Sequence, residues 1–316
     1  MLLRKDRFYL LEVPFSVIAM LSEEELQAYR KVGKLLAEVR EQVRPTVKPG
    51  VKLLEIAESA EDLIKQKGAK PAFPCNVSVN EVAAHYSPPA NDDTVIKEGD
   101  MVKVDIGAHL DGYIADTAFT VATGEKAEMV QVVEQALEAA IGAIKPGIDV
   151  GEIGKVVEEV ATAAGLKPIR NLTGHSLARW ELHAGLTVPN VKGETGQKLS
   201  VGDVVALEPF VTDGAGYVED QKKVYIFRYL RDMPTRLRMS RELLRDVRRE
   251  YNELPFAERW LAKRMSRLRL ELTLRELTGI GALWPYYVLA ERAKGKVAQA
   301  EHTVIVTEQG CEVTTR

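Results

Sequence analysis

An internal repeat constrains the fold of this chain more than any other feature. Four segments of the first half recur in the second half at offsets of 97 to 103 residues. The matched pairs are KPGVKLLEI and KPGIDVGEI, KGAKP and AGLKP, AAHYSPP and ELHAGLTVP, and EGDMVKVDI and VGDVVALEP. This self-similarity predicts two related halves, each with two helices, an irregular segment and a strand pair. Two half-sheets joined about a pseudo-twofold axis would bring Asp105 next to Glu208, and His85 next to His183.

The hydrophobic pattern predicts the elements of each half. Apolar residues at helical spacing indicate helices over 22–43, 53–67, 128–144 and 150–165, the first opened by a capping box, Ser22 with Glu25. The stretches 70–89 and 167–189 show no clear period and are expected to be irregular. Strands are predicted over 201–210, 300–307 and 311–315, the last two returning to the main sheet.

A β-hairpin is predicted in the middle of the first half. Strand-like runs cover 101–107 and 114–120, and Asp111-Gly112 between them is typical of a tight turn. Antiparallel pairing would place Asp105 and Asp116 on the same face, about one strand spacing of ~5 Å apart. Two buried carboxylates at that distance need a cation between them. The residues alone leave two interpretations equally open: a pair of metal ligands, or two aspartates at strand ends in solvent.

Composition narrows the class of protein. The 316 residues are 46% hydrophobic, which allows one large α/β or α+β domain plus a smaller one. The net charge of −3 does not indicate a nucleic-acid binder, and no apolar run is long enough for a membrane span. The only two cysteines, Cys75 and Cys311, suggest a reducing, cytoplasmic location rather than a disulfide framework. Residues 1–20 make a poor signal peptide and are expected to form a poorly ordered extension.

The charge pattern changes in the last third of the chain. Residues 221–296 hold 19 Lys and Arg against 9 Asp and Glu, and three short amphipathic helices are predicted there. We therefore expect 223–296 to be an inserted helical subdomain. Its basic surface could dock on RNA or on the ribosome, but a solvated helix surface is the favoured interpretation, because no RNA-binding signature is present.

Five polar residues form the candidate site. They are Asp105, Asp116, His175, Glu208 and Glu301. Four carboxylates and one imidazole suit a pair of divalent ions such as Mn²⁺, Fe²⁺, Co²⁺ or Zn²⁺. Two such ions can share a water and activate it for attack on a carbonyl. The absence of a GxSxG elbow disfavours a covalent mechanism.

The segments AAHYSPP, DIGAHLDGYIADTA, GHSLARWELHAG, LEPF and AEHT resemble, in this order and spacing, those of methionine aminopeptidase type 2. The resemblance covers about residue 20 to the C-terminus and includes a helical insertion of about sixty residues. It implies the pseudo-symmetric α/β (α+β) "pita-bread" fold over 21–222 and 297–316, with a winged-helix-like insertion over 223–296.

The resemblance also implies a role for each site residue. Asp116 and Glu301 would bridge two divalent ions (Co, Mn, Fe or Zn), Asp105 would chelate one ion, and His175 and Glu208 would hold the other. Glu208 would also take the proton from the bridging water, whose hydroxide attacks the scissile carbonyl. His183 would stabilise the tetrahedral intermediate, and His85 would lie on the opposite side of the substrate. Phe73 and Tyr286 would line the methionine pocket.

The implied function is removal of the initiator methionine from nascent polypeptides with a small second residue, by a cytoplasmic monomer with no membrane association. A ribosome contact would use the basic insertion. Two alternatives remain open, an Xaa-Pro aminopeptidase or prolidase, and a non-catalytic relative that binds RNA or protein. His109 is expected to be exposed at the hairpin turn, and His302 to point away from the site because it follows Glu301 in a strand.

Overall fold

The computed structural model describes residues 21–316, so the expected extension over 1–20 lies outside the described residues. The helices are α1 (Glu23–Val43), α2 (Leu53–Gln66), α3 (Ala127–Ala143), α4 (Val150–Ala163), α5 (Arg238–Tyr251), α6 (Glu258–Ala262) and α7 (Arg267–Gly279), with a 3₁₀ turn at Arg44–Thr46. The strands are β1 (Lys70–Val79), β2 (Val82–Ala84), β3 (Met101–Leu110), β4 (Tyr113–Ala122), β5 (Lys167–Pro168), β6 (Thr173–Ser176), β7 (Thr187–Pro189), β8 (Val204–Leu207), β9 (Phe210–Thr212), β10 (Val218–Tyr229), β11 (Phe256–Ala257), β12 (Leu283–Glu291), β13 (Val297–Gln299), β14 (Glu301–Thr307) and β15 (Gly310–Val313).

The predicted capping box at the start of α1 is confirmed. The Glu25 N–H donates to Ser22 Oγ at 3.3 Å, and the Ser22 N–H donates to Glu25 Oε2 at 2.9 Å. These reciprocal bonds satisfy two backbone donors that a helix start leaves free. Across residues 21–316, no helix is both long and apolar enough to cross a membrane.

One antiparallel sheet carries both halves of the repeat. Its strand order is β1-β3-β4-β14-β8-β6-β7, with β15 paired to β14. Helices α1 and α2 share one apolar core with the first half, and α3 and α4 share another with the second half. In the second half β8 pairs with β14, which the chain reaches only after the insertion. In the second half, the pair β8–β14 is therefore the counterpart of the hairpin β3–β4 in the first half.

Two stretches expected to be irregular contain strands instead. Residues 70–84 form β1 and β2, and 167–189 contain the short strands β5, β6 and β7. Pro71 and Pro74 lie inside β1, which runs at the edge of the sheet and pairs with β3 through two register shifts. Prolines are tolerated at an edge and at bulges, and they obscure the strand pattern in the sequence.

The segment 223–296 is not purely helical. Helices α5, α6 and α7 pack around an apolar cluster of their own that includes Leu243, Val247 and Leu277. This cluster is closed by β10 and β12, which belong to a second sheet of order β11-β10-β12-β2. Since β2 comes from the first half, this sheet joins the inserted segment to the rest of the molecule. A third sheet, β13-β9-β5, lies beside α3 and α4.

Candidate metal centre

The predicted hairpin places its two aspartates on one face of the main sheet. Asp111 and Gly112 form the two-residue turn with φ of 50° and 90°, as expected for an Asp-Gly hairpin. In the register of β3 and β4, Asp105 lies opposite Ala118, and Gly107 lies opposite Asp116. The two carboxylates are thus diagonal neighbours rather than a directly opposed pair. Diagonal positions are farther apart, about 7–8 Å, which leaves room for an ion.

Neighbouring strands supply the other three candidates. His175 lies in β6, opposite Ala206 of β8, and Glu208 directly follows β8. Glu301 is the first residue of β14 and lies opposite Ala118 of β4. Strand pairing across the junction of the two halves therefore brings all five side chains to the same region of the sheet.

The side chains converge on a common space. His175 Nε2 lies 3.6 Å from Glu208 Oε1 and 3.7 Å from Asp116 Oδ2. One potential ligand atom from each of Asp116, His175 and Glu301 lies within 4.8 Å of the other two. These distances are longer than hydrogen bonds but suit atoms arranged around a cation. Asp116, His175 and Glu301 are buried, whereas Asp105 and Glu208 are partly exposed, so the space opens to solvent on one side.

Several carboxylate oxygens in this space lack a hydrogen-bond partner among the described residues. They are Asp105 Oδ1, Asp116 Oδ1 and Glu301 Oε1, and all three are buried. The other oxygen of Asp105 accepts from Asn76 Nδ2, and that of Glu301 accepts from Gln299 Nε2, both at 3.3 Å. A buried carboxylate oxygen with no donor is costly, and a divalent cation is the partner that this donor set fits.

Asn76 and Gln299 were not predicted from the sequence. Each donates an amide N–H to a candidate ligand and so orients its carboxylate. Gln299 could have been found from its position, because residues two apart in an extended segment point to the same side. Asn76 lies across a bulged register from Asp105, and no pattern in the sequence indicates that pairing.

The shifted pKa values of the cluster also indicate that its carboxylates lack a positively charged partner. Burial raises the pKa of Asp105 to about 7. Burial, followed by the charges of the neighbouring carboxylates, raises the pKa of Asp116, Glu208 and Glu301 well above their usual values. Burial lowers the pKa of His175 to about 4, so its imidazole is neutral near pH 7 and able to act as a ligand. The residues present therefore fit divalent metal.

Two further histidines, His85 and His183, lie near the cluster, and each has its ring beside that of Tyr286. The rings of His175 and His183 lie 4.4 Å apart between centroids, and Tyr286 lies 6.4 Å from His183 and 5.4 Å from His85. His85 has a φ of 63°, and its Nδ1 lies 3.1 Å from the Tyr287 carbonyl oxygen, to which it donates. His85 and His183 thus both lie beside Tyr286, which belongs to β12 of the second sheet. We call the space between these three side chains and the carboxylate cluster the cleft.

Phe73 lies on β1 opposite Gly107 of β3. Its ring is buried in an apolar cluster with Leu177 and Leu182. A Cβ atom at position 107 would overlap the Phe73 ring, so the glycine makes room for the aromatic side chain. Phe73 thus lies on the strand next to the one that carries Asp105.

The expectation that His109 is exposed is wrong. It is 5% exposed, its ring lies 4.8 Å from that of Trp180, and its Nδ1 accepts from the Gly112 N–H at 3.2 Å. Trp180 comes from the second half of the chain and packs over the hairpin turn. His302, in contrast, contacts Arg40 Nη1 at 3.2 Å and Thr315 Oγ1 at 2.8 Å, away from the carboxylate cluster.

Comparisons with known proteins support this geometry. Residues 27–308 match metallopeptidase family M24. The chain is 48% identical to a methionine aminopeptidase of Methanothermobacter thermautotrophicus over 92% of this chain and 98% of that protein. It is also 48% identical to a methionine aminopeptidase of Thermococcus onnurineus, over 92% of this chain and all of that protein.

A solved structure supports the fold. The crystal structure of methionine aminopeptidase from Thermotoga maritima is similar with a TM-score of 0.70 and 26% identity, over 94% of this chain and 99% of that one. The expected mixed α/β fold of the pita-bread type is confirmed.

Proposed function

Because the chain belongs to metallopeptidase family M24, we propose that it removes the N-terminal methionine from nascent proteins and peptides whose second residue is small. The observation that carries this proposal is the convergence of four carboxylates and a neutral imidazole on one partly open space. The curated relatives named methionine aminopeptidase, which align over nearly their whole length, support the choice of substrate. Within that activity we assign the chain to type 2, because helices α5, α6 and α7 lie between β10 and β12, where the resemblance to type 2 implies a helical insertion.

The protein uses divalent metal, and we propose two ions of Co, Mn, Fe or Zn. Asp116 and Glu301 would contact both ions, Asp105 would hold one, and His175 with Glu208 would hold the other. When bound, the ions would supply the positive charge that the buried carboxylates lack, and would lower the pKa of a water in the site so that it can lose a proton and attack a carbonyl as hydroxide.

The chain's own residues then divide the remaining work. Glu208, partly exposed at the cleft, accepts a proton from the attacking water and passes it to the leaving amine. The His183 ring borders the cleft. Its pKa is lowered well below the usual value, first because the surrounding residues desolvate the ring and then because of the neighbouring His175 and His85. A neutral His183 therefore offers an N–H to the oxygen that gains charge during attack.

The His85 ring lies 5.4 Å from that of Tyr286 between centroids, and it is held by its bond to the Tyr287 carbonyl. Because a carbonyl only accepts, the Nδ1 atom of His85 carries the proton, and Nε2 is free to accept from the substrate. Burial lowers the pKa of His85, which keeps it neutral. Phe73 and Tyr286 supply apolar surface for the methionine side chain.

The remaining features of the proposal concern the cell. The substrates are the N-termini of nascent chains, and we place the reaction in the cytoplasm, where the unpaired Cys75 and Cys311 stay reduced. We propose a monomer in which the basic segment 223–296 forms an inserted subdomain that could contact the ribosome. Co-sedimentation with ribosomes that weakens as the salt concentration is raised would support that contact. Replacing surface arginines of α5 should then abolish the co-sedimentation.

A hydrolysis assay on chelator-treated protein tests the proposed function. Peptides of the Met-Gly-Met and Xaa-Pro types are supplied with and without Co²⁺ or Mn²⁺, and released amino acids are quantified. Metal-restored release of methionine from the first peptide alone supports the proposal. Preferential cleavage of Xaa-Pro peptides would replace it with a prolidase activity, and a folded protein inactive with every metal would favour a binding role.

A further inference from the structure

Arg228 is a charged side chain of the cleft to which the proposed reaction gives no role. It lies in β10 and pairs with Trp284 of β12. The next pair along the two strands is Phe227 with Pro285, and the one after that is Ile226 with Tyr286. Directly opposed residues of an antiparallel pair, and residues two apart, share one face of a sheet. Arg228, Trp284 and Tyr286 therefore lie on the same face, the one that Tyr286 turns towards His85 and His183.

The opposite face of these strands is occupied. Phe227, Tyr229 and Leu283 belong to the apolar cluster of the inserted segment. Arg228 is thus turned away from that cluster and towards the cleft.

The hydrogen bonding of Arg228 is incomplete. Its Nε–H is buried and has no acceptor among the described residues. A buried donor without an acceptor carries a cost that a bound acceptor would remove. A guanidinium next to a substrate cleft is suited to a carbonyl or carboxylate oxygen.

The path of a bound peptide follows from the two ends of the cleft. Towards the main sheet, Phe73 fills the space above Gly107, so a peptide cannot continue in that direction. Towards β12 the face ends in Trp284, which is 52% exposed. A chain whose N-terminal residue is held at the carboxylate cluster would then leave past Tyr286 and past Arg228 and Trp284.

We propose that Arg228 is a positioning residue for the peptide beyond the reacting bond, donating from its guanidinium to a main-chain carbonyl oxygen on the C-terminal side. Trp284 provides apolar surface for the same part of the peptide. This inference rests on the proposed function, because it assumes that the N-terminal residue lies at the carboxylate cluster. It predicts that substrates extending beyond the second residue bind more tightly than substrates that end there.

The test compares substrate lengths in the metal-loaded enzyme. The substrates are methionyl-p-nitroanilide, Met-Ala-amide, Met-Ala-Ser-amide and Met-Ala-Ser-Lys-amide, all without a free C-terminal carboxylate. Arg228→Met removes the donors and keeps the bulk, Arg228→Lys keeps the charge but not the planar group, and Arg241→Met changes an exposed arginine of α5 as the matched control.

In Arg228→Met we expect KM for the tri- and tetrapeptide to rise about tenfold or more, as for a lost hydrogen bond to a charged group. We expect kcat to stay within about twofold, and KM for the anilide to be unchanged. Arg228→Lys should lie between the wild type and Arg228→Met, and Arg241→Met should match the wild type. Bound metal and the unfolding midpoint are measured for each variant. If Arg228→Met folds poorly, the test is a rise in KM of Arg228→Lys over the wild type for the peptides but not for the anilide.

Three results would overturn the inference. An equal rise in KM for the anilide and the peptides would show that Arg228 acts at the methionine end. An unchanged KM for every length would show that it binds no part of the substrate. A wild type that hydrolyses none of the four methionyl substrates would refute the proposed function itself, and the inference with it.

Discussion

Glu61 of α2 and Arg259 of α6 form an ion pair whose side chains are only 4% and 3% exposed. Trp260 Nε1 donates to Glu61 Oε2 at 2.7 Å, and the Cys75 N–H donates to Glu61 Oε1 at 3.0 Å. Arg259 also donates to the Ser87 hydroxyl, which donates to the Cys75 carbonyl at 3.0 Å. This network ties the inserted segment to α2, to β1 and to the segment that follows His85.

We predict that Arg259→Met destabilises the protein by about 3–5 kcal/mol, because it leaves the Glu61 carboxylate buried without its partner. The double variant Glu61→Leu with Arg259→Met should recover much of that loss, since no buried charge remains. Urea unfolding measures both. Arg238→Met, which breaks an ion pair with Glu242 that is largely exposed, should cost less than about 1 kcal/mol. Equal losses from Arg259→Met and Arg238→Met would contradict the prediction.

The carboxylate cluster predicts that metal stabilises the fold more at higher pH. In the metal-free protein Asp105, with a pKa of about 7, and its neighbours with higher pKa values keep protons that the unfolded chain has lost above about pH 5. The native state then binds more protons, so its stability falls as the pH rises through 7. His175, with its pKa lowered to about 4, acts in the opposite direction only below about pH 6.5, above which it is neutral in both states.

Bound divalent ions offset these charges, so the gain in unfolding free energy with Mn²⁺ over chelator should be larger at pH 8 than at pH 6.5. Subtracting the unfolding free energy in chelator from that in Mn²⁺ cancels the contribution of groups that titrate in the same way with and without metal, such as the buried Lys103. Urea midpoints at the two pH values measure the effect, and Asp116→Asn should reduce it. A gain that is equal at both pH values would mean that the cluster does not hold the metal.

The contact between Gly107 and Phe73 predicts a steric effect on the pocket. Gly107→Ala should push the Phe73 ring aside, lower kcat/KM for methionyl peptides about tenfold and destabilise the protein by about 1–3 kcal/mol, as overpacking does. Adding Phe73→Leu should recover stability because the smaller side chain makes room for the methyl group. The ratio of kcat/KM for methionyl and norleucyl peptides should change in the double variant. An unchanged ratio would place Phe73 outside the substrate pocket.

Local signals in the sequence predicted the parts of the fold that depend on neighbouring residues. The Asp111-Gly112 turn and the Ser22 capping box were predicted because each depends on the conformation or hydrogen bonds of residues at most three apart. The repeat added one long-range relationship, since it predicted that Asp105 and Glu208 meet although they lie on different half-sheets. All five candidate ligands do converge, but their role as ligands stays a prediction until metal binding is measured.

Other parts depend on contacts that no local pattern contains. Strand β10 was missed because it carries a run of exposed charged and polar residues, 219–223, next to its apolar end. His109 was expected in solvent because nothing near it in the sequence indicates that Trp180 covers the turn. Asn76 was missed because its approach to Asp105 depends on bulges in β1. In each case a distant segment, rather than the residue's own neighbours, determines its surroundings.

The three cleft histidines should separate metal binding from catalysis. His175→Ala removes the nitrogen nearest to Glu208 and Asp116, so it should lose both bound metal and activity. His85→Ala and His183→Ala should retain metal but lower kcat by about 10²–10⁴-fold, the range expected when a proton donor or acceptor is removed. His109→Asn, a change in a buried histidine outside the cleft, should leave kcat near the wild-type value. Metal content after dialysis and initial rates on one methionyl tripeptide measure these effects, and release of metal by His85→Ala would refute its assignment to the substrate.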